Sequence, residues 1–465
     1  MSEAKRFAYL KEVLIGGGSG LVVLALLLLG LSISGPNPTS NNNGSGNGSQ
    51  ASSSASPSAS VKQCLVNQQI NDPLLGDVQA IVVNAADDQV LFDVKGEQPS
   101  ATASTMKLLT SAAALQSLGP NYRVQTRVYR DPVDQGIIYF VGGGDVTLSR
   151  TQPGKQSVYQ GAPKLNDLAV QINRAVGSTP ITKIIVDGSM FAGPQWLPGV
   201  DPTERTQGYL SLTSALQVDG DRNDPTRETS PRSATPELRA GKWLQAAIGA
   251  NATGATVEQG SLNTSAMQIA MVQSQPISSW INHMMAVSDN TQAEALARLV
   301  SLDEGYDGSF SSLDAAIKKA LGNANVTFTG AKIYDGSGES TANAISPADM
   351  AKLVKQIYLG SGDFSVIRQS LPVSGESGSL SSRFKGANVD AAGKVFAKTG
   401  WIKHGYTLAG YITAKDNSVL LFAVYALGPK VEDPAKGAID NLVTGFYRCG
   451  AALGPATIGA ATPKN

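Results

Sequence analysis

Ser104 and Lys107 stand three residues apart in Ser104-Thr105-Met106-Lys107, just ahead of a helical pattern in Leu108, Leu109, Ala112 and Leu115 that Gly119-Pro120 stops. Ser104 is thereby expected at a helix start, with Lys107 one turn along on the same face. A serine nucleophile needs a base. The chain has only His283 and His404 and no G-x-S-x-G elbow, so a Ser–His–Asp arrangement has little material. Lys107 is the candidate base, its pKa lowered by burial and by a cationic neighbour. Lys398, in Lys398-Thr399-Gly400, would be that neighbour. Ser288-Asp289-Asn290 offers a hydroxyl to relay the proton to a leaving amine, and an amide to hold Lys107 and the substrate. Thr399 suits a terminal carboxylate, and Gly400 leaves a strand edge clear for a peptide. The backbone N–H groups of Ser104 and Trp401 are the candidate oxyanion donors. Taken singly, Lys107 also reads as a surface helix lysine and Ser288-Asp289-Asn290 as a helix cap.

The elements around these residues can be read from periodicity. Ala80 to Val83 and Val90 to Phe92 flank Ala86-Asp87-Asp88-Gln89 as a β-hairpin. Val124-Thr126-Val128 alternates, Ile137 to Val141 is an apolar run, and Leu165, Leu168, Ala169, Ile172 and Val176 have helical spacing. A strand follows at Lys183 to Val186, and a helix opens at Thr235-Pro236-Glu237, with Thr235 as its cap. This small α/β unit interrupts the motifs and reads as an insertion. Trp280, Ile281, Met284 and Met285 form a helical face ending at Ser288; Ala293, Leu296, Ala297 and Val300 form the next. Two strong β runs, Tyr406 to Thr413 and Ser418 to Ala426, follow Gly400, and a last helix starts at Asp433-Pro434.

At 465 residues the chain calls for more than one domain. Lys+Arg and Asp+Glu are equal at 37 each, and no basic run interleaves with aromatics, so nucleic acid is not an expected partner. Lys5, Arg6 and Lys11 precede an uncharged run from Val13 to Ser34, and roughly twenty apolar residues suffice to span a bilayer. The flanking positive charges place the N-terminus in the cytoplasm and the remainder outside it; a cleaved secretory signal is the other reading. Residues 35–60 are almost wholly Gly, Ser, Asn, Ala and Pro, a flexible tether. Cys64 and Cys449 are the only cysteines, and in an oxidising compartment a bridge between them is the economical reading, two buried thiols the alternative. Asp145, after Gly142-Gly143-Gly144, reads as turn chemistry, and no cluster has metal-ligand spacing, so no cofactor or metal is implied. The expected segments are 1–12 cytoplasmic, 13–34 membrane anchor, 35–60 linker, 61–123 and 263–453 the two parts of a catalytic domain, 124–262 an insertion, and 454–465 a frayed tail.

The three motifs, in this order, resemble those of serine enzymes that act on β-lactams and on peptides ending in D-alanyl-D-alanine. More closely, the chain resembles the class C low-molecular-mass penicillin-binding proteins, the D-alanyl-D-alanine carboxypeptidase/endopeptidase family, over roughly residues 65 to 450. Residues 99–104, Leu118-Gly119-Pro120, Gly143-Gly144-Asp145, Asp335-Gly336-Ser337-Gly338 and Leu371-Pro372-Val373 look like family passages. The resemblance implies an α+β penicilloyl-serine-transferase domain, an antiparallel sheet flanked by helices plus a helical lobe, with domains inserted between S-x-x-K and S-x-N. It implies peptidoglycan stem peptides as substrates and β-lactams as covalent inhibitors. It also implies an inserted-domain aspartate that meets the free amine of the stem peptide: Asp219 is the candidate and Asp221 the second, with a turn aspartate beside Gly220 as the plainer reading.

Three departures stand out. The 184 residues from Ser104 to Ser288 leave no room for a second, inner insertion. Glu339 and Thr341 stand where family members usually carry Leu and Arg in the Asp335 stretch, and Trp401 where they carry a small residue. The expected activity is therefore an extracytoplasmic serine D,D-peptidase. A β-lactamase, which needs a water-activating group that the sequence does not make evident, and a non-enzymatic scaffold are the alternatives.

Overall fold

The computed structural model describes residues 63–457 other than Pro198. The expected membrane anchor at 13–34 and linker at 35–60 lie outside the described residues. Among those described, no helix is long and apolar enough to cross a membrane.

Two five-stranded sheets organise the chain. The first sheet starts with the hairpin β1 (Asp77–Asn84) and β2 (Val90–Val94). A 3₁₀ turn at Ala103–Thr105 then leads into a helix over Met106–Ser117. The chain next builds β3 (Gln125–Arg130), β4 (Ile137–Val141), β5 (Lys183–Asp187), β6 (Thr256–Gln259) and β7 (Met267–Gln273). These form the second sheet in the order β6-β5-β4-β3-β7, parallel from β4 to β6 and antiparallel at β3 and β7. The chain then returns through helices Ile277–Val287 and Asn290–Asp303. Strands β8 (Val395–Ile402), β9 (Gly405–Thr413) and β10 (Val419–Leu427) complete the first sheet, ordered β2-β1-β10-β9-β8 and antiparallel throughout.

The first sheet is covered on both faces, which is why β9 and β10 are apolar almost without interruption. Along β10, Leu420, Phe422, Val424 and Ala426 pack with Ile439, Leu442 and Phe446 of the helix Ala435–Cys449. The alternate residues Leu421, Ala423 and Tyr425 face the helical lobe, where Met350 and Val354 join Leu108, Leu109, Trp280 and Leu296. The two periodicities, 2 in the strand and 3.6 in the helices, thus meet at two separate cores. Cys64 and Cys449 form the disulfide, 385 residues apart in sequence. Cys64 also pairs with the chain end, its N–H donating to Ala452 O (2.8 Å) and its carbonyl accepting from Gly454 N–H (2.9 Å). The first residues of the expected tail are therefore held; Thr457 N–H bonds Asn67 Oδ1 (3.1 Å).

In the second sheet Leu168, Ile172 and Val176 of helix Leu165–Val176, with Leu244 and Ile248 of helix Pro236–Ile248, cover Val128, Ile138, Phe140, Ile184 and Val186. Two expectations change here. Thr235 makes no side-chain cap; in that first turn the Glu237 carboxylate instead accepts from Ser214 Oγ (2.6 Å) and Gln195 Nε2 (2.7 Å). The sheet also runs past 262, because β7 pairs with β3 as far as Gln273. Met267–Gln273 is half exposed with only Ala270 buried, so it carries no strong alternation to read.

Candidate functional site

The nucleophile turn is strained into place. Ala103 has φ +47°, in a region that non-glycine residues seldom occupy. Its neighbour Thr102 offers its carbonyl to Thr407 Oγ1 on β9 (2.7 Å) and to Thr105 Oγ1 (2.7 Å). Ser104 then emerges at the cleft, and Lys107 lies one turn on, fully buried. Lys107 Nζ donates to Ser104 Oγ (2.8 Å), Asn290 Oδ1 (2.6 Å) and Ser337 O (2.8 Å), so every ammonium proton has a partner. Burial lowers Lys107 to about 8, against the opposing pull of Glu339, Glu294, Asp335 and Asp289.

The Ser288-Asp289-Asn290 stretch is the junction between two helices. Ser288 takes a left-handed conformation (φ +64°) after the first helix, and Asp289 caps the second by accepting from Gln292 N–H (3.0 Å). It is a helix cap and a site element at once. Ser288 Oγ accepts from Lys398 Nζ (2.9 Å), which also donates to Thr399 O (2.8 Å). Lys398 is held far below the usual lysine range, by burial first and by the Lys107 charge second. At Lys107 burial acts as expected, but the charges that act on it are the Glu339, Glu294, Asp335 and Asp289 carboxylates and not Lys398.

Strand β8 forms the edge of the first sheet beside Ser104. Gly400 is required there, since a Cβ would fall 2.1 Å from Thr407 Oγ1 and 2.9 Å from Ser104 N. Val395 O accepts from Ser374 N–H (2.9 Å) and Ala397 N–H donates to Pro372 O (3.0 Å), both on the side away from β9. Alternation carries the Thr399 and Trp401 backbone groups to that same side. The glycine lets β8 pack directly against the nucleophile turn beside Ser104 N, with the Trp401 N–H on the outer side of the strand. Thr399 Oγ1 donates to Ser379 Oγ (2.8 Å), and the Trp401 side chain is half exposed at the mouth.

A cleft of about 370 Å³ joins Ser104, Ser288, Asn290, Thr399, Gly400 and Trp401. The insertion contributes Glu204, Tyr209 and Thr229 to its wall. Glu339, whose Oε1 accepts from Asn290 Nδ2, also lines the cleft, as do Ser379, Ser382 and Arg383. Asp219 is not brought here. Its side chain is fully buried and pairs with Arg150 Nη1 (3.0 Å), while Asp221 pairs with Arg239 (3.2 Å) and accepts from Ser233. Both aspartates have positive φ, 54° and 57°, on either side of Gly220, so the turn reading describes them. The carboxylates that do face the cleft, Glu204 and Glu339, sit in a short helix and a loop with no periodic signal; in the sequence only the replacement of Leu by Glu339 pointed to either.

A model of the D-Ala-D-Ala carboxypeptidase 3 (S13) family matches residues 63–231 and 222–446. The chain belongs to that family. It is a serine carboxypeptidase of the class C low-molecular-mass penicillin-binding group. The S13 chain is 36% identical to carboxypeptidase Rv3627c of Mycobacterium tuberculosis over 386 residues, 82% of each protein. It is 34% identical to carboxypeptidase DacB of Mycolicibacterium smegmatis, again over 82% of each. In structure it is similar to penicillin binding protein 4 (dacB) from Haemophilus influenzae, with a TM-score of 0.68 at 19% identity, covering 80% of this chain and 95% of that one. This likeness gives the S13 protein the expected α+β penicilloyl-serine-transferase fold.

Proposed function

We propose that the protein is an extracytoplasmic D,D-peptidase that cleaves D-alanyl-D-alanine-type bonds of peptidoglycan stem peptides through an acyl-enzyme on Ser104. β-Lactams would acylate the same serine, and residues 13–34 would hold the enzyme at the membrane. The observation that carries this reading is the chain Ser104 Oγ–Lys107 Nζ–Asn290 Oδ1, facing Ser288–Lys398 across a cleft beside an edge strand.

In the proposed step, neutral Lys107 takes the Ser104 proton as Oγ bonds to the substrate carbonyl carbon. Charge developing on the carbonyl oxygen meets the Ser104 and Trp401 N–H groups. Ser288, held by Lys398, relays the proton to the departing amine. The substrate lies along the β8 edge, its terminal carboxylate at Thr399 and Ser379. A side-chain amine of the stem peptide would meet Glu204 on the insertion wall, the place first expected of Asp219. Trp401 lies at the mouth and leaves the cleft open, which favours an enzyme over a scaffold.

Incubating the enzyme with a fluorescent penicillin tests this directly. Ser104 should be labelled and Ser104→Ala should not. Label that survives in Ser104→Ala would move the nucleophile elsewhere, and unlabelled wild-type enzyme would overturn the reading.

A further inference from the structure

Glu339 takes no part in the acylation just described, yet it stands closer to that chemistry than any other carboxylate of the cleft. The loop that carries it is fixed against the nucleophile turn. A Cβ on Gly338, at φ +91°, would fall 1.9 Å from Ala103 O and 3.0 Å from Ser104 N, so loop and turn touch through backbone. Buried acids pin the loop. Asp335 accepts from the N–H groups of Gly338 (2.8 Å) and Ser340 (2.6 Å) and from Asn343 Nδ2 (2.7 Å). Glu294 accepts from the N–H groups of Gly336 (3.0 Å) and Ser337 (2.9 Å), and Thr110 Oγ1 donates to Gly336 O (2.6 Å). Glu339 itself remains half buried and lines the cleft with Ser104. The two ends of one amide, Asn290, hold Lys107 and Glu339.

Resting on the acyl-enzyme reading above, we propose that Glu339 is the base that activates water to release the Ser104 acyl-enzyme, and that it gives the protein a β-lactam-hydrolysing activity beside its peptidase activity. The water oxygen bonds to the acyl carbonyl carbon as its proton passes to the Glu339 carboxylate. The carbon–Oγ bond then breaks, and Ser104 Oγ recovers a proton from the Lys107 ammonium. The proton on Glu339 returns to Lys107 through water of the open cleft, and both groups end as they began. One proton thus serves two steps: on Glu339 it leaves Lys107 neutral for acylation, and on Lys107 it leaves Glu339 charged for release. Burial pushes Glu339 up to about 7, opposed by Lys107 and assisted by Glu204 and Asp335. Lys107, lowered to about 8, also faces Glu294, and its charge acts on Lys398. The two groups can therefore exchange a proton at little cost near neutral pH.

The experiment separates acylation from release with a fluorescent penicillin in a pulse followed by unlabelled competitor, on wild-type enzyme, Glu339→Gln and Glu339→Leu. Both variants should release label at least about 10²-fold more slowly, the usual scale for a lost general base. Acylation should hold or accelerate, because removing a negative neighbour favours neutral Lys107. Glu339→Asp, one methylene shorter, should recover part of the release rate. Release unchanged in both variants, or an equal fall in acylation and release, overturns the proposal, since a merely structural residue would slow both. Wild-type enzyme whose label never leaves overturns it as well. Absence of label on wild-type Ser104 would instead sink the acyl-enzyme reading itself, and this one with it.

Discussion

Beside the antiparallel sheet, the buried cations Lys107 and Lys398 are held by hydroxyl, amide and carbonyl oxygens: Ser104, Asn290, Ser337, Ser288 and Thr399. Around the insertion, three buried carboxylates meet guanidinium groups instead: Asp219 with Arg150, Asp221 with Arg239, and Asp289 with Arg222 (2.8 Å). Neutral hydrogen-bond partners leave the burial penalty dominant at both lysines, only partly offset at Lys107 by nearby carboxylates, so their pKa values fall toward the range where a proton can move. At Asp289 full counter-charges do the reverse, whereas at Asp219 and Asp221 burial outweighs the guanidinium and raises the carboxyl. Burial alone would raise Asp289, but Arg222, His283 and the Gln292 N–H hold it well below the ordinary carboxylate range. The two lysines keep a labile proton, and Asp289 keeps a fixed charge.

The sharpest way to break this contrast is at Lys107. Lys107→Ala should slow penicillin acylation by about 10²–10⁴-fold, the scale of a lost general base. In wild-type enzyme the acylation rate should rise with pH and level off above about 8, since only the neutral amine accepts a proton. A rate that is unchanged in Lys107→Ala, in stopped-flow labelling, would hand the base role to another group.

Arg222 tests the other side. Its guanidinium reaches Asp289 Oδ2, Tyr159 Oη (2.6 Å) and the Asp219 carbonyl, tying the insertion to the Ser288–Asn290 junction. Arg222→Met strips the guanidinium from the buried Asp289 charge and leaves it only His283, the Tyr159 hydroxyl and the Gln292 N–H, which should cost about 3–5 kcal/mol in denaturant unfolding. Asp289 has a folded pKa below its unfolded one, so its contribution is present above about pH 4 and is lost as pH falls toward the folded value. The variant should therefore show a flatter acid limb of stability than wild type. A loss under about 1 kcal/mol would mean the pair is not desolvated as its burial indicates.

How much of this was legible in the residues follows from the same contrast. S-x-x-K, S-x-N and K-T-G could be read because a reaction constrains both residue type and chain order, and Gly400 because only glycine fits beside Thr407 and Ser104. The hairpin β1–β2 and strands β9 and β10 could be read because burial on fixed faces imposes period and length. Nothing comparable marks Glu204, in the five-residue helix Thr203–Gln207, which reaches the cleft only through tertiary folding. Asp219 was misplaced for a related reason. An aspartate beside glycine signals a turn, and its guanidinium partner lies 69 residues away, beyond any local pattern.

The disulfide bears on the catalytic unit alone. Cys64 and Cys449 join the first and last described segments, so Cys64→Ser with Cys449→Ser should lower stability by about 2–5 kcal/mol. Acylation of the folded fraction should be unaltered, because the bridge lies in the core opposite Ser104. Alkylation and mass spectrometry of the oxidised wild-type protein must find no free thiol, and two would remove the bridge.

The smallest expected effect discriminates the two carboxylates of the insertion. Asp219 is fully buried against Arg150, so Asp219→Asn should lower the melting temperature while leaving unchanged the ratio of kcat/KM for amine-bearing and N-acetylated stem peptides. Glu204 is half buried and faces the cleft. A water-exposed pair of this kind is worth about 1 kcal/mol at most. Glu204→Gln should therefore shift that ratio by about fivefold at low salt and less as ionic strength rises, with the melting temperature little changed. If Asp219→Asn moves the ratio and Glu204→Gln does not, the insertion senses substrate through its locked interior, and the division between labile and fixed charge drawn here fails.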